Sequence, residues 1–199
     1  LPISLYANPG FDPFKDFVPV ARFNAVPFML VVNASVPAGN AKELVAYIKA
    51  NPGKVSFASA GNGLTSHLAG VMFNNVTGTD ALHVPYKGAA PALTGLLAGD
   101  TQFTIDTVIN VLPQVKAGKL RAIGVTSAGR SALAPDVPSL AEAGIQNFEL
   151  EIWNAFAAPA TMPKALQVRL ATVLADIART PELRAKLFQQ GWQVAGTSP

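Results

Sequence analysis

Cysteine is absent from this chain, and its absence excludes a disulfide framework, a thiolate zinc site and a cysteine nucleophile. Charge is scarce as well: only 14% of the 199 residues are Asp, Glu, Lys or Arg. Fifteen basic residues against 12 acidic ones leave a net charge of +3. The basic side chains, among them Lys42, Lys54, Lys87, Lys116 and Arg130, are scattered without a cluster or interleaved aromatics. That distribution argues against a nucleic-acid partner and suits a small anionic ligand. Long hydrophobic runs are missing: the stretch from Val26 to Val32 is broken by Pro27 and falls short of the roughly 18 to 20 residues of a membrane-spanning helix. The start, LPISLYANPG, lacks the pattern of an export signal, as a mature or truncated chain also would. Histidine occurs only as His67 and His83, too few to hold a metal without a further convergent ligand, so no metal and no cofactor are expected.

What is present is hydrophobic residues to half the composition, with 16 Gly and 16 Pro spread along the length. Such a chain can build a packed core. Short apolar runs alternate with helical patterns, which predicts an α/β fold with a largely parallel sheet. Phe17 to Val32 reads as extended chain crossing between two bodies, because Pro19 and Pro27 argue against one central strand. Asn40 with Glu43 forms a capping box for a helix stopped by Asn51, Pro52 and Gly53. Strands are predicted at Val55 to Ala60, Ala81 to Tyr86, Thr101 to Ile105 and Leu120 to Val125. Between them lie a helix capped by Thr65 or Ser66, one from about Ala89 to Ala98 ended by Gly99, and one with Pro113 at its first position and Gly118 at its end. Ser139 and Glu142 suggest a second capping box for a short helix ended by Gly144. Phe148 to Ala157 reads as extended, with Trp153 expected in the core, the other reading being that Trp153 and Asn154 serve as hinge or ligand-stacking residues of a crossing segment. A long amphipathic helix follows with Leu166, Leu170, Val173, Leu174 and Ile177 on one face, then a last helix from Thr180 or Pro181 to Gly191.

The most informative stretch is the strand VSFASA, the turn GNG and the helix opening LTSHLAG. Gly61 and Gly63 let backbone approach a ligand, and the free N–H groups of a helix start carry a partial positive charge suited to a carboxylate or phosphate. Ser59, Ala60, Asn62, Thr65, Ser66 and His67 complete this candidate loop. A tight strand-to-helix turn that binds nothing is the competing reading. Ser66 stands where a dinucleotide fingerprint needs a third Gly or Ala, and no G-x-x-x-x-G-K-[ST] loop or G-x-S-x-G elbow occurs. Asp106 ends a strand at the same sheet edge and could contact ligand or cap its own turn. Tyr86 and Lys87 could face that edge with a hydroxyl and a cation. A hydrolase pairing Ser59 or Ser66 with His67 is the alternative from another class.

The strings ASAGNGLTSHLAG, HVPYKGAAPALTGLLAGD, LPQVKAGKLRAIGVTS and DVPSLAEAG together resemble the substrate-binding proteins of tripartite tricarboxylate transporters, the Bug family. The resemblance runs from DPFKDFVPVAR near residue 12 to the last helix. It implies a type II periplasmic-binding-protein-like clamshell: two α/β domains joined by crossing strands, a small carboxylate between them. The expected organisation is the end of domain 1 and a crossing strand at 1–23, α/β domain 2 at 24–150, and a return crossing with C-terminal helices of domain 1 at 151–199. By the same resemblance the ligand loop is Ser59 to His67, with Asp106 and the Tyr86 and Lys87 turn at positions near the cleft. Family chains are longer, so a first part of domain 1 with its own ligand loop is expected before Leu1 and a final part after Pro199. The implied function is a periplasmic, non-enzymatic receptor, expected to be a monomer, that captures a dicarboxylate, tricarboxylate, acidic amino acid or aromatic acid for membrane transporter subunits. A sensory module of the same fold is the alternative.

Overall fold

A computed structural model describes residues 9–189 and 192–197. The chain divides into two compact units: one holds Pro27–Glu151, and the other is formed by the segments before and after it. In chain order the elements are β1 (Phe17–Asn33), α1 (Ala41–Ala50), β2 (Ser56–Ser59), α2 (Thr65–Thr77), β3 (Leu82–Pro85), α3 (Ala89–Ala98) and β4 (Phe103–Thr107). They continue as α4 (Val108–Lys116), β5 (Leu120–Val125), β6 (Glu151–Pro159), α5 (Lys164–Arg179), α6 (Pro181–Gln189) and β7 (Gln193–Thr197).

The central unit is a sheet in the order β3-β2-β4-β1-β5. β2 runs parallel to β3 and β4, as the helical crossovers α2 and α3 require. β1 is antiparallel to both β4 and β5, so the sheet is mixed rather than largely parallel. β1 lies between β4 and β5 and is next to neither in sequence, so no single helical crossover sets its direction. Contrary to the proline argument, Phe17–Asn33 is one strand and its second half is central. Pro27 is tolerated because pairing with β7 ends at Ala25 and pairing with β4 begins at Phe28, so its missing N–H interrupts neither ladder.

Two side-chain layers cover this sheet. On one face Met29 and Val31 pack with Leu96 of α3 and Val108 and Val111 of α4. On the other Phe57 of β2, Phe103 of β4 and Phe73 of α2 form a ring cluster with centroids 5.6–5.7 Å apart. Gly70 lets α2 lie directly on the Phe57 ring. The predicted cap of α1 forms with its return bond one residue earlier than in a standard box: Glu43 N–H donates to Asn40 Oδ1 at 2.9 Å, and Gly39 N–H, rather than that of Asn40, donates to Glu43 Oε2 at 2.7 Å. α3 has the predicted bounds, with Gly99 at φ +89° as its C-cap.

Three local expectations are corrected. Pro113 lies inside α4, which starts directly after β4 at Val108. The Ser139 and Glu142 box forms reciprocally, at 2.8 and 3.2 Å, but closes a single turn with no helix beyond it, because Gly144 at φ +93° turns the chain away. Trp153 is 60% exposed: only Ala158 of β6 is buried, so no core forms around the indole.

In the second unit the first half of β1 pairs with β6 and β7. Asn154 donates to Asn24 Oδ1 across that pairing, and Phe23 meets Phe156 edge to face. The predicted α5 forms, yet its buried residues are Ala175 and Ala178, while Leu166, Leu170, Val173 and Ile177 are 41–48% exposed. α6 starts at Pro181 as expected, whereas Gly191 lies outside the described residues. β7 was not foreseen.

Candidate functional site

Because β2, β3 and β4 are parallel, α2, α3 and α4 all start at one edge of the central sheet. None of the three has a side-chain N-cap or an acidic residue in its first turn. α1, by contrast, has both. The positive ends of three helices thus meet at that edge, with the Asp106 carboxylate already beside the start of α4 and the starts of α2 and α3 without one, an arrangement suited to an anion.

The expected caps of α2 are otherwise occupied. Leu64 sits at the N-cap position with no side-chain bond, while Ser66 Oγ turns back to accept Ala60 N–H at 3.0 Å. Gly61 N–H donates to Ser59 Oγ at 3.2 Å, Gly63 N–H to His67 Nδ1 at 3.0 Å, and Leu64 N–H to Gly61 O at 3.3 Å. Among the described residues, the N–H groups of Asn62, Thr65 and Ser66 meet no protein acceptor. Those three donors are the ones available to a carboxylate. Gly61 and Gly63 hold φ of +145° and +75°, backbone that L side chains rarely adopt.

The next turn is tied to the same loop. Tyr86 N–H donates to Ser59 O and Gly88 N–H to Ala60 O, each at 2.9 Å, which sets exposed Lys87 beside it. The Tyr86 phenol folds onto α3 against Gly95.

Asp106 is at this edge but on the other face. The Ala58 to Thr104 pairing, continued two residues, brings Asp106 level with Ala60. Alternation along β4 then separates it from Phe103, which shares the face of Phe57 and Ser59. Its Oδ1 accepts Thr107 N–H at 2.6 Å and Asn110 Nδ2 at 3.1 Å, so it ties down the start of α4. Burial raises its pKa above the usual carboxylate value, and the bonds from Thr107 and Asn110 oppose that rise.

The serine–histidine pairings foreseen with His67 do not form. Ser59 is fully buried, and its hydroxyl meets His83 Nε2 at 2.5 Å, sealed from any substrate. His83 is the residue that sequence reasoning left out of the site. Its ring stacks on His67 with centroids 3.9 Å apart and planes 13° apart, and on Phe57 at 5.0 Å. Burial, and then the neighbouring His67, lower its pKa below the ordinary imidazole value. Among the described residues no group of three or more His, Cys, Asp or Glu is placed to hold a metal.

Residues 2–198 match the model of the tripartite tricarboxylate transporter family receptor. BugT of Bordetella pertussis is 33% identical over 198 residues, covering 99% of this chain and 59% of its own. The structure of the R. palustris protein Rpa4515 with adipate superposes with a TM-score of 0.86 at 33% identity, over 98% of this chain and 65% of that one. The periplasmic binding protein BugD superposes with a TM-score of 0.83 at 35% identity, over 97% of this chain and 64% of that one. The chain therefore spans less than two thirds of the length of each. Its fold is that of the periplasmic solute-binding proteins, and its neighbours are receptors rather than enzymes. By the match along nearly its whole length, this chain belongs to the tripartite tricarboxylate transporter receptor family.

Proposed function

We propose that the protein containing this chain is a periplasmic receptor that captures a small carboxylate and delivers it to the membrane subunits of a tripartite tricarboxylate-type transporter, acting as a monomer. The observation that supports this most is the set of three uncapped helix starts at one sheet edge, with the N–H groups of Asn62, Thr65 and Ser66 free of protein acceptors. In this reading those N–H groups hold one carboxylate, with the side chains of Asn62 and Thr65 as further polar arms. Lys87 draws the anion electrostatically. Ser59, Ala60, Gly63 and His67 shape the loop, and Asp106 keeps α4 in register at the same edge. Binding requires no bond to be made or broken.

The adipate held by the similar R. palustris protein supports a dicarboxylate within the wider class of dicarboxylates, tricarboxylates, acidic amino acids and aromatic acids. The test is a thermal-shift screen of the full-length protein against adipate, malate, citrate, glutamate and benzoate. A ligand at 100 times its Kd adds about 2.7 kcal/mol, a rise of several degrees. A selective rise with one carboxylate is expected. A folded protein that none of the panel stabilises would overturn the carboxylate reading.

A further inference from the structure

The two imidazoles of the central unit are the only ones in the chain, and both touch the loop 59–67. His67 Nδ1 accepts the N–H of Gly63, a bond that nitrogen can make only while it carries no proton of its own. His83 Nε2 meets the Ser59 hydroxyl, which in turn accepts the N–H of Gly61. Each ring therefore secures one of the two glycines whose positive φ gives the loop its shape. The rings are in turn locked by stacking, Phe57 on His83 and His83 on His67. Left to itself, a glycine populates positive and negative φ about equally, so some external contact must select the conformation that frees the Asn62, Thr65 and Ser66 donors.

We propose that His67 and His83 are positioning residues of the carboxylate loop, and that they hold it in its binding shape only while His67 is uncharged. This inference deepens the carboxylate reading above and rests on it for the identity of the ligand. A proton on Nδ1 would turn His67 from acceptor to donor facing the Gly63 N–H, and would place a cation against the stacked His83 ring. Charged and titratable side chains on the surrounding elements are few. α2 carries only His67, β2 and α3 carry none, β3 carries only His83, the turn after it Tyr86 and Lys87, and β4 only Asp106. Loss of the loop shape with acid is thus assigned to the imidazoles. If the binding shape needs Nδ1 as an acceptor, a proton on that nitrogen and a bound carboxylate exclude each other, and affinity falls with acid. An imidazolium that touched the carboxylate directly would give the opposite sign.

The experiment is titration of the full-length protein with adipate from pH 8 to 5, together with NMR of the His67 ring nitrogens and the Gly63 amide in the ligand-free protein. Wild-type affinity is expected to fall with acid, and the Gly63 amide to shift with the same midpoint as His67. His67→Phe keeps a stacking ring and loses the acceptor; it should weaken binding about tenfold. His67→Asn keeps an acceptor and cannot titrate; it should bind within about threefold of wild type with a flat pH profile. Tighter binding in acid, or unchanged affinity in His67→Phe, would overturn the proposal. If adipate does not bind, the ligand reading fails on its own. The coupled shift of Gly63 and His67 then decides the positioning role, and a Gly63 amide that ignores His67 titration overturns it.

Discussion

Replacing Gly63 with Val is expected to weaken carboxylate binding about thirtyfold or more while the protein stays folded. Gly63 holds φ +75°, and a left-handed backbone costs an ordinary L residue about 1–2 kcal/mol, with more for a β-branched one. Each 1.4 kcal/mol is about a tenfold change in affinity. The loop can avoid that cost only by leaving the observed conformation, which breaks the Gly63 N–H bond to His67 and turns the neighbouring Asn62 and Thr65 donors away. His67→Ala removes one acceptor but leaves the glycine free to visit the same φ, so its loss should be smaller. Calorimetric titration of both variants checks the order. Equal losses, or a larger loss in His67→Ala, would count against capture by backbone N–H groups.

Gly70→Ala carries the largest expected stability effect. In an exposed helix this change would stabilise by about 0.5–1 kcal/mol, since Ala loses less backbone freedom. Here an added Cβ runs into the Phe57 ring. Overpacking of a filled core costs about 1–3 kcal/mol, and that sets the sign. Phe57 has little room to yield, because it is itself buried, stacked on His83 and packed against Phe103. A net loss of about 1–2 kcal/mol should lower Tm by several degrees. The strain passes through Phe57 to the imidazole stack, so ligand affinity should fall too. A raised Tm in Gly70→Ala would mean that α2 and β2 are not in direct contact.

Much of this fold is legible from local chemistry. Asn40 with Glu43 and Gly99 mark helix ends because caps and left-handed turns are decided within a few residues. The Gly61 to Gly63 turn opening α2 is legible for the same reason, as is its suitability for an anion. The direction of β1 is not, since pairing with β4 and β5 is a contact between residues some 70 to 100 positions apart. Ser139 and Glu142 carry the chemistry of a helix start, yet the chain turns at Gly144 before a second turn can form. The exposed face of α5 has the periodicity of a buried one. Pattern fixes which face is apolar, whereas burial depends on what packs over it.

The site divides along the same line. That Ser59 and Asp106 face opposite sides of the sheet follows from the two-residue period once Phe57 and Phe103 are known to share a face, and only the register between β2 and β4 supplies that. The imidazole stack has no local signature. It exists because β3 pairs with β2 so that Phe57 lies beside His83, while α2 brings His67 over both. The groups that suggested a Ser–His catalyst are instead bonded apart, Ser59 to His83 and His67 to the Gly63 N–H.

The most direct test of backbone capture is amide mapping of the full-length protein by NMR as adipate, or whichever carboxylate gives the largest thermal shift, is added. The expected result is that the N–H resonances of Asn62, Thr65 and Ser66 move most and in proportion to occupancy, with the Lys87 region following. Saturable binding that leaves those three amides unmoved would contradict it.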